Sequence, residues 1–264
     1  MDETRMKTPI SIVKIGGAFL EDPQRLDEVC RAFARMKGMR ILVHGGGQRA
    51  SRLSEDLGIA PRMVEGRRIT DAQSLEVVTM VYAGWANKTL VACLQASGCN
   101  ALGVSGADAN LIRAAKRPVK AIDYGYVGDI EAIEVLTLKK LLSSGLVPVF
   151  SAITHDGSGQ LLNTNADTIA AALACALSGD YHTRLYYCFE KQGVLRDIRD
   201  PASVITRMDQ NLFNRLKAEG AIVQGMLPKL HNCFQALEGG VQEVFIGPPA
   251  LLTDKASIFT ELSL

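Results

Sequence analysis

Lys14 and His44 each close an apolar run and open onto glycines. One run reads Lys14-Ile15-Gly16-Gly17 and the other His44-Gly45-Gly46-Gly47. Glycine lets a ligand approach bare backbone, and N–H groups at a turn that leads into a helix favour negative charge. Two such turns with a lysine beside them predict a phosphate site. Neither matches the phosphate loop that ends in Gly-Lys-Ser/Thr. A second polar group, Asn163, Asn165 and Asp167, falls just ahead of an alanine-rich apolar segment. One of the three is expected to cap that helix, because Asn and Asp side chains accept from the free N–H groups at a helix start. Three exceed what one cap requires. On spacing alone, Lys229 reads as a solvated lysine and His44 as a satisfied structural histidine.

The elements that must carry these groups follow from periodicity. Ile41-Leu42-Val43 is an unbroken aliphatic run, the pattern of a strand buried on both faces in a parallel sheet, and Gln48 to Leu57 repeats at helical spacing. Ile10 to Ile15 is a second such strand, with a helix beginning near Asp22. Adjacent parallel strands would bring both glycine turns to one carboxyl edge, where such sheets bind ligands. Arg62, Arg67 and Arg68 crowd the polar stretch that follows, and Asp71 is placed to cap a long apolar helix ending near Gln95. Further on we expect a strand over Asn100–Val104, a surface hairpin over Val119–Glu134, a helix over Thr137–Ser144 and a strand over Leu146–Ser151. The second half predicts a helix at Thr168–Leu177, a strand at Arg184–Phe189, a turn at Gly193-Val194-Leu195 and a helix at Leu212–Glu219. A helix with Pro228 in its first turn, a strand over Glu243–Ile246 and an edge strand over Ser257–Phe259 complete the chain. Strands alternating with helices predict an α/β fold, a three-layer αβα sandwich on a mostly parallel open sheet. No linker interrupts it, and the hairpin region up to Ser151 is the expected seam between lobes 1–151 and 152–264.

Composition narrows the function. A chain of 264 residues that is 47% hydrophobic can bury a large core, and a formal charge of +1 with interspersed acids and bases argues against nucleic acid or an acidic membrane as partner. The six cysteines show no CxxC pair and sit among apolar neighbours, so we expect buried free thiols in a reducing compartment and no metal site. There is no apolar signal core, and the longest apolar segment, Ile169 to Leu177, is too short to span a bilayer. A soluble cytoplasmic protein is expected.

Six pieces together are far more specific than any one alone. Val13-Lys14-Ile15-Gly16-Gly17, His44-Gly45-Gly46-Gly47 and Gly66-Arg67-Arg68-Ile69-Thr70 come first. Asn87-Lys88, Asn163-Thr164-Asn165-Ala166-Asp167, and Gly225-Met226 with Lys229 follow. Their order and spacing resemble the N-acetylglutamate kinases of the amino-acid kinase family, over about residues 10 to 246. The resemblance implies transfer of the γ-phosphoryl group of ATP to the γ-carboxylate of an N-acylglutamate, on the arginine-synthesis route. It implies that lobe 1–151 binds the acylglutamate and dimerises, and that lobe 152–264 binds ATP, whose Mg²⁺ is held mainly by phosphates and water. Lys14 and Lys229 would approach the phosphoryl group while Asp167 holds both lysines, and the N–H groups of Gly17, Gly46 and Gly47 would complete the cradle. Arg68, Asn163 and Asn165 correspond to acylglutamate contacts. Gly16, Glu190, Gly193, Val194, Leu195 and Ile222 fall on the nucleotide side. Phosphoryl transfer needs in-line placement and positive charge more than covalent help, which suits this set.

Two segments depart from that pattern. Phe189-Glu190-Lys191 stands where such kinases carry Thr/Ser-Asp-Val, although Glu190 keeps an acid there, and Pro228 with His231-Asn232-Cys233 replaces smaller residues near Lys229. Other readings are an N-succinylglutamate kinase, a ligand-sensing relative without turnover, and an α/β-hydrolase using the His-Gly-Gly-Gly loop. The last would need G-x-S-x-G, and Gly103-Val104-Ser105-Gly106-Ala107 ends in alanine. The helix from Asp71 to Gln95 holds more apolar surface than one sheet face can cover, so we expect a homodimer. The arginine-inhibited members of the family this chain resembles add an N-terminal helix. Met1 to Pro9 is too short to supply one, so no arginine inhibition is expected.

Overall fold

The computed structural model describes residues 7–64, 67–222, 225–254 and 257–264. Gly66, and Met1 to Met6 on which the expectation about arginine largely rests, lie outside them. Strand β1 (Pro9–Ile15) runs through a tight 3₁₀ turn (Gly17–Glu21) into α1 (Pro23–Arg35). Asp22 caps α1 by accepting from Gln24 and Arg25, and Pro23 fills the first turn, where its missing N–H costs nothing. β2 (Met39–His44) leads through Gly45-Gly46 into α2 (Gly47–Asp56). A short antiparallel hairpin then pairs Met63–Val64 with Arg67–Arg68. The long α3 (Ala72–Ala96) is capped by Asp71, which accepts from the Ser74 N–H, and its middle, Met80–Ala86, is π-helical. The rest comprises β3 (Ala101–Val104), α4 (Val135–Ser143), β4 (Val147–Phe150), α5 (Ala166–Ser178), β5 (His182–Cys188), β6 (Arg207–Met208), α6 (Gln210–Ala218), α7 (Leu227–Glu238), β7 (Glu243–Gly247) and β8 (Thr260–Leu262).

These eight strands form one sheet in the order β6-β8-β7-β5-β1-β2-β4-β3. Every adjacent pair is parallel except β7 with β8. β1 is the seam: Lys14 stands opposite Val43 of β2 on one side and Tyr187 of β5 on the other. A second sheet of four short strands (Leu161–Asn163, Ile153–His155, Ile112–Lys116, Gly128–Ile133) stands apart from the main one.

Alternation along β1 sorts its side chains between two cores. Ile10 and Ile12 pack with Tyr187, Ile169, Leu173 and Phe234, under α5 and α7. Val13 and Ile15 pack with Phe33, Leu90 and Leu94 on the opposite face. Period two therefore puts Lys14 on the α5/α7 face. The helix α3 joins both cores, with Leu75 to Tyr82 in the first and Ala86 to Leu94 in the second. A helix that serves two cores needs apolar residues along both halves of its length, so its composition is explained within one chain. This removes the argument that excess apolar surface on α3 requires a second subunit. The large apolar side chains that α3 leaves outside are Met80 at 49% and Trp85 at 40% exposure, both on the π-helical segment.

Four expectations need correction. The hairpin forms earlier, with Ile112–Lys116 against Gly128–Ile133, because the charge of Arg113 and the terminal Lys116 hide a strand whose buried face is Ile112 and Ala114. Val194–Leu195 is a strand paired with Val204–Ile205 rather than a turn. The last strand is Thr260–Leu262 and is not the edge, which belongs to β6. The longest apolar element is α3, which by length and composition alone could cross a bilayer; here it packs on both cores. All six cysteines are free, four of them buried.

Candidate active site

Three charged side chains meet at the carboxyl end of β1. Lys14 ends that strand, Asp167 lies in the first turn of α5, and Lys229 in the first turn of α7. Lys14 Nζ is 2.7 Å from Asp167 Oδ1, and Lys229 Nζ donates to Asp167 Oδ2 at 2.9 Å. A carboxylate in a first turn is favoured by the helix dipole, whereas an ammonium there is not, so Asp167 compensates for Lys229. Burial works to raise the Asp167 pKa, but the two ammonium groups outweigh it and hold the carboxyl below its ordinary range. Burial likewise lowers the Lys14 pKa; the attraction of Asp167 opposes it and the repulsion of Lys229 adds to it. Tyr187, fully buried, fixes the group from below: its hydroxyl donates to the Asp167 carbonyl at 3.0 Å and its ring lies 5.1 Å from Lys229 Nζ.

The glycine turns close around this trio by backbone contact. A Cβ on Gly17 would lie 3.3 Å from Gly46 Cα, Gly46 N and Gly47 N, so the two turns touch as only glycines can. Tyr82, from the π-helical segment, presses its ring under Gly46, where a Cβ would come within 2.9 Å of Cδ1. Short π-helical insertions often mark functional sites, because they redirect a side chain that a regular helix would place elsewhere.

A cleft opens above the turns, lined by Lys14, Gly45 to Gly47, Tyr82, Asn163 to Thr168, and three arginines, Arg67, Arg68 and Arg117. Arg68 is buried; its Nη2 donates to the Gly47 carbonyl at 3.1 Å and to Ser51 Oγ at 2.7 Å, and its Nη1 has no partner. Asn163 donates to Thr70 Oγ1 at 2.9 Å, and Thr70 in turn donates to the Arg68 carbonyl. Asn165 is the helix cap, accepting from Asp167 and Thr168 N–H groups. Asn165 also lines the cleft, and its amide nitrogen makes no hydrogen bond among the described residues.

A second, more apolar cleft lies beyond Ala18, lined by Phe189, Glu190, Lys191, Gly193 to Leu195, Ile198, Ile222, Gly225 and Met226. All the residues assigned to the nucleotide side except Gly16 gather here; Gly16 lies in the connecting turn after Lys14. The Gly193 backbone packs so closely that a Cβ would meet Thr260 Oγ1 at 2.6 Å. Glu190 is ion-paired to Arg25 of α1.

His44 is a structural residue. It is wholly buried, its Nε2 accepts from Asn87 Nδ2 at 3.1 Å, and the proton on Nδ1 goes to the Gly45 carbonyl. Burial lowers its pKa to about 4, so the ring is neutral. Ser105 donates to Asp108 instead of a histidine, which disposes of the hydrolase reading. Tyr82, Arg67 and Arg117 were missed as lining residues. Arg67 stood in the arginine-rich stretch without a role, and Arg117 gives no local signal.

The pattern of the whole chain agrees with this geometry. Residues 9–248 match the model of the amino acid kinase family. An acetylglutamate kinase from Bacteroides fragilis is 52% identical over 242 residues, covering 92% of this chain and 93% of that one. An acetylglutamate kinase from Cytophaga hutchinsonii is 50% identical, covering 89% of each. The crystal structure of smu.665 from Streptococcus mutans UA159 superimposes with a TM-score of 0.78 at 23% identity, over 96% of this chain and 98% of that one. Matched along almost its entire length in sequence and fold alike, this chain belongs to the amino acid kinase family.

Proposed function

We infer that this protein transfers the γ-phosphoryl group of ATP to the γ-carboxylate of N-acetylglutamate, releasing ADP and an acyl phosphate for arginine biosynthesis. Half-identical relatives carrying that activity in their names support the reading. The observation that carries it is the Lys14–Asp167–Lys229 trio, two cations on one carboxylate beside two touching glycine turns. The acceptor is already ionised at neutral pH, so one of its oxygens can attack phosphorus without a general base, in keeping with a His44 that is buried, neutral and engaged. Charge then develops on the transferring oxygens and on the leaving oxygen of ADP. Lys14 and Lys229 oppose it from two sides, and the N–H groups of Gly17, Gly46 and Gly47 add fixed dipoles.

Arg68 and Asn163 hold the acylglutamate in the first cleft, with the Asn165 amide beside them. The apolar second cleft takes the adenine, with Gly193 to Leu195 and Ile222 against the base. ATP brings Mg²⁺, which neutralises phosphate charge. Asp167, the one acid lining the first cleft among the described residues, has both oxygens occupied by lysines, so the metal is carried by phosphates and water rather than by this carboxylate. We assign residues 1–151 to the acylglutamate lobe and 152–264 to the ATP lobe. A cytoplasmic homodimer joined around exposed Met80 and Trp85 completes the reading. ADP release that depends on N-acetylglutamate, with the acyl phosphate trapped by hydroxylamine, tests it; ATP turnover indifferent to acylglutamate would overturn it.

A further inference from the structure

Two pieces of the sequence pattern, His44 and Asn87-Lys88, do no chemistry in the kinase reading, and the structure joins them in one chain of hydrogen bonds. Asn87 of α3 is 1% exposed. Its amide nitrogen donates to the Val149 carbonyl of β4 at 2.9 Å, which settles which end of the amide is nitrogen. The same nitrogen gives its other proton to His44 Nε2 at 3.1 Å, so the neutral ring must carry its own proton on Nδ1. That proton goes to the Gly45 carbonyl at 2.8 Å. The Asn87 oxygen accepts from Lys88 Nζ at 3.1 Å and occupies space that a Cβ on Gly103 would invade at 2.0 Å. Both ends of the amide are thus committed, and the tautomer of His44 is fixed.

This chain ends on the glycine turn. The Gly45–Gly46 peptide is trans, so its N–H points away from its carbonyl. With the Gly45 oxygen held by the buried ring, the Gly46 N–H faces the other way. It meets no acceptor among the described residues, and Gly46 lines the first cleft with Gly45 and Gly47. Two successive glycines leave such a peptide plane free to rotate unless something holds it. Tyr82 holds it at Gly46, and His44 holds it at the Gly45 oxygen.

We propose that His44, locked by Asn87, is a positioning residue for phosphoryl transfer: it pins the Gly45 carbonyl so that the Gly46 N–H stays aimed at the transferring oxygens. This deepens the kinase reading and rests on it. His44 touches no ligand in this role and exchanges no proton. Its effect is electrostatic at one remove, because a donor aimed in advance at developing charge has no reorganisation left to do during transfer.

Three substitutions separate aiming from packing. His44→Asn sets an amide nitrogen at the Nδ1 position, within reach of the Gly45 carbonyl. His44→Gln sets its amide at the Nε2 position, where it meets Asn87 instead, and His44→Leu offers no donor. We expect His44→Asn to keep kcat within about threefold of wild type. His44→Gln and His44→Leu should lose about tenfold or more, part of the roughly hundredfold that outright loss of such a donor costs, with a smaller change in acylglutamate KM. Packing predicts the opposite order for the two amides, because asparagine leaves the larger void. Urea unfolding should therefore rank His44→Gln above His44→Asn while kcat ranks them the other way. Equal kcat for the two amides, kcat that follows stability across the variants, or losses confined to KM would overturn the proposal. Nitrogen NMR of the unmodified enzyme needs no variant to fold: a ring protonated at Nδ1 is expected, and protonation at Nε2 would overturn it. Absence of ADP release from wild type with N-acetylglutamate would instead overturn the kinase reading, and the tautomer would still report on the network.

Discussion

Removing the Asp167 charge while keeping its shape is the sharpest test of the trio. In Asp167→Asn, two ammonium groups that shared one carboxylate at 2.7 and 2.9 Å face each other without it. Unit charges about 4 Å apart interact by about 4 kcal/mol at an effective dielectric near 20, so each lost attraction is large. Breaking a buried pair by deleting one partner costs about 3–5 kcal/mol in stability. One relief exists: a lysine can shed its proton. With an ordinary lysine pKa near 10.4, neutralising one at pH 7.5 costs about 4 kcal/mol, and at pH 9 about 2 kcal/mol. Lys14, already displaced downward by burial, is the group to yield. A lysine whose folded pKa is depressed destabilises the fold below its unfolded pKa, and the penalty shrinks as pH rises. Urea unfolding of wild type and Asp167→Asn should therefore differ by about 4 kcal/mol at pH 7.5 and by about 2 kcal/mol at pH 9. Lys14→Met/Asp167→Asn should be more stable than Asp167→Asn at pH 7.5 and should lose the pH-dependent recovery. A single variant within about 1 kcal/mol of wild type and flat with pH would refute the coupling.

Four further outcomes follow. Lys14→Ala and Lys229→Ala should each lower kcat by roughly a hundredfold or more with a much smaller change in acylglutamate KM, and a variant with near-normal kcat would remove that lysine from the chemistry. Arg68→Ala should raise the acylglutamate KM by about tenfold or more while leaving the ATP KM in place, because it strips a buried charged donor from the first cleft only; a change confined to ATP would refute it. Gly46→Ala should destabilise by about 1–3 kcal/mol through its collision with Tyr82, and Tyr82→Leu in the same chain should recover part of it on thermal unfolding. His44, lowered to about 4 in the fold, contributes stability that is full above about pH 6.5 and lost as pH falls through 4. Wild type should thus lose about 2 kcal/mol more between pH 7 and 5 than His44→Gln, and equal pH slopes in urea unfolding would refute the neutral buried ring.

What could be read from the sequence was whatever a single element encodes. The β1 and β2 strands with their glycine turns, the helix beginning near Asp22, the cap by Asp71 and the helix start at Pro228 are local patterns, and each lies where expected; α5 starts at Ala166, two residues before the expected Thr168, with Asn165 as the cap among the three candidates. Groups that act across elements were harder. That β1 and β2 are adjacent and parallel is as expected, but the direct contact of Gly17 with Gly46 is set by the turns' own conformations. The π-helical segment has no spacing of its own, so Tyr82 looked like one more apolar position of α3. Arg117 lies outside the expected hairpin over Val119–Glu134, in the connection between the strands that actually pair. Nothing near it in the chain announces Asp129 or the cleft, because their meeting is made by the second sheet.

The order of the main sheet explains why the charges can be kept so close. β1 alone touches both halves, β2 and β4 on one flank and β5 and β7 on the other, and Lys14 is the side chain it delivers to the α5/α7 face. The two helix starts that converge there would both favour an acid by their dipoles, yet one carries Asp167 and the other Lys229. If both carried acids the trio would be negative and would repel a phosphoryl group; if both carried lysines it would not survive burial. One acid between two lysines leaves a single net positive charge that is desolvated, hydrogen-bonded and held over Tyr187 before any ligand arrives. Such a charge does not have to reorganise when negative charge builds on the transferring oxygens, and that is the condition under which an electrostatic site accelerates transfer rather than merely binding the substrate.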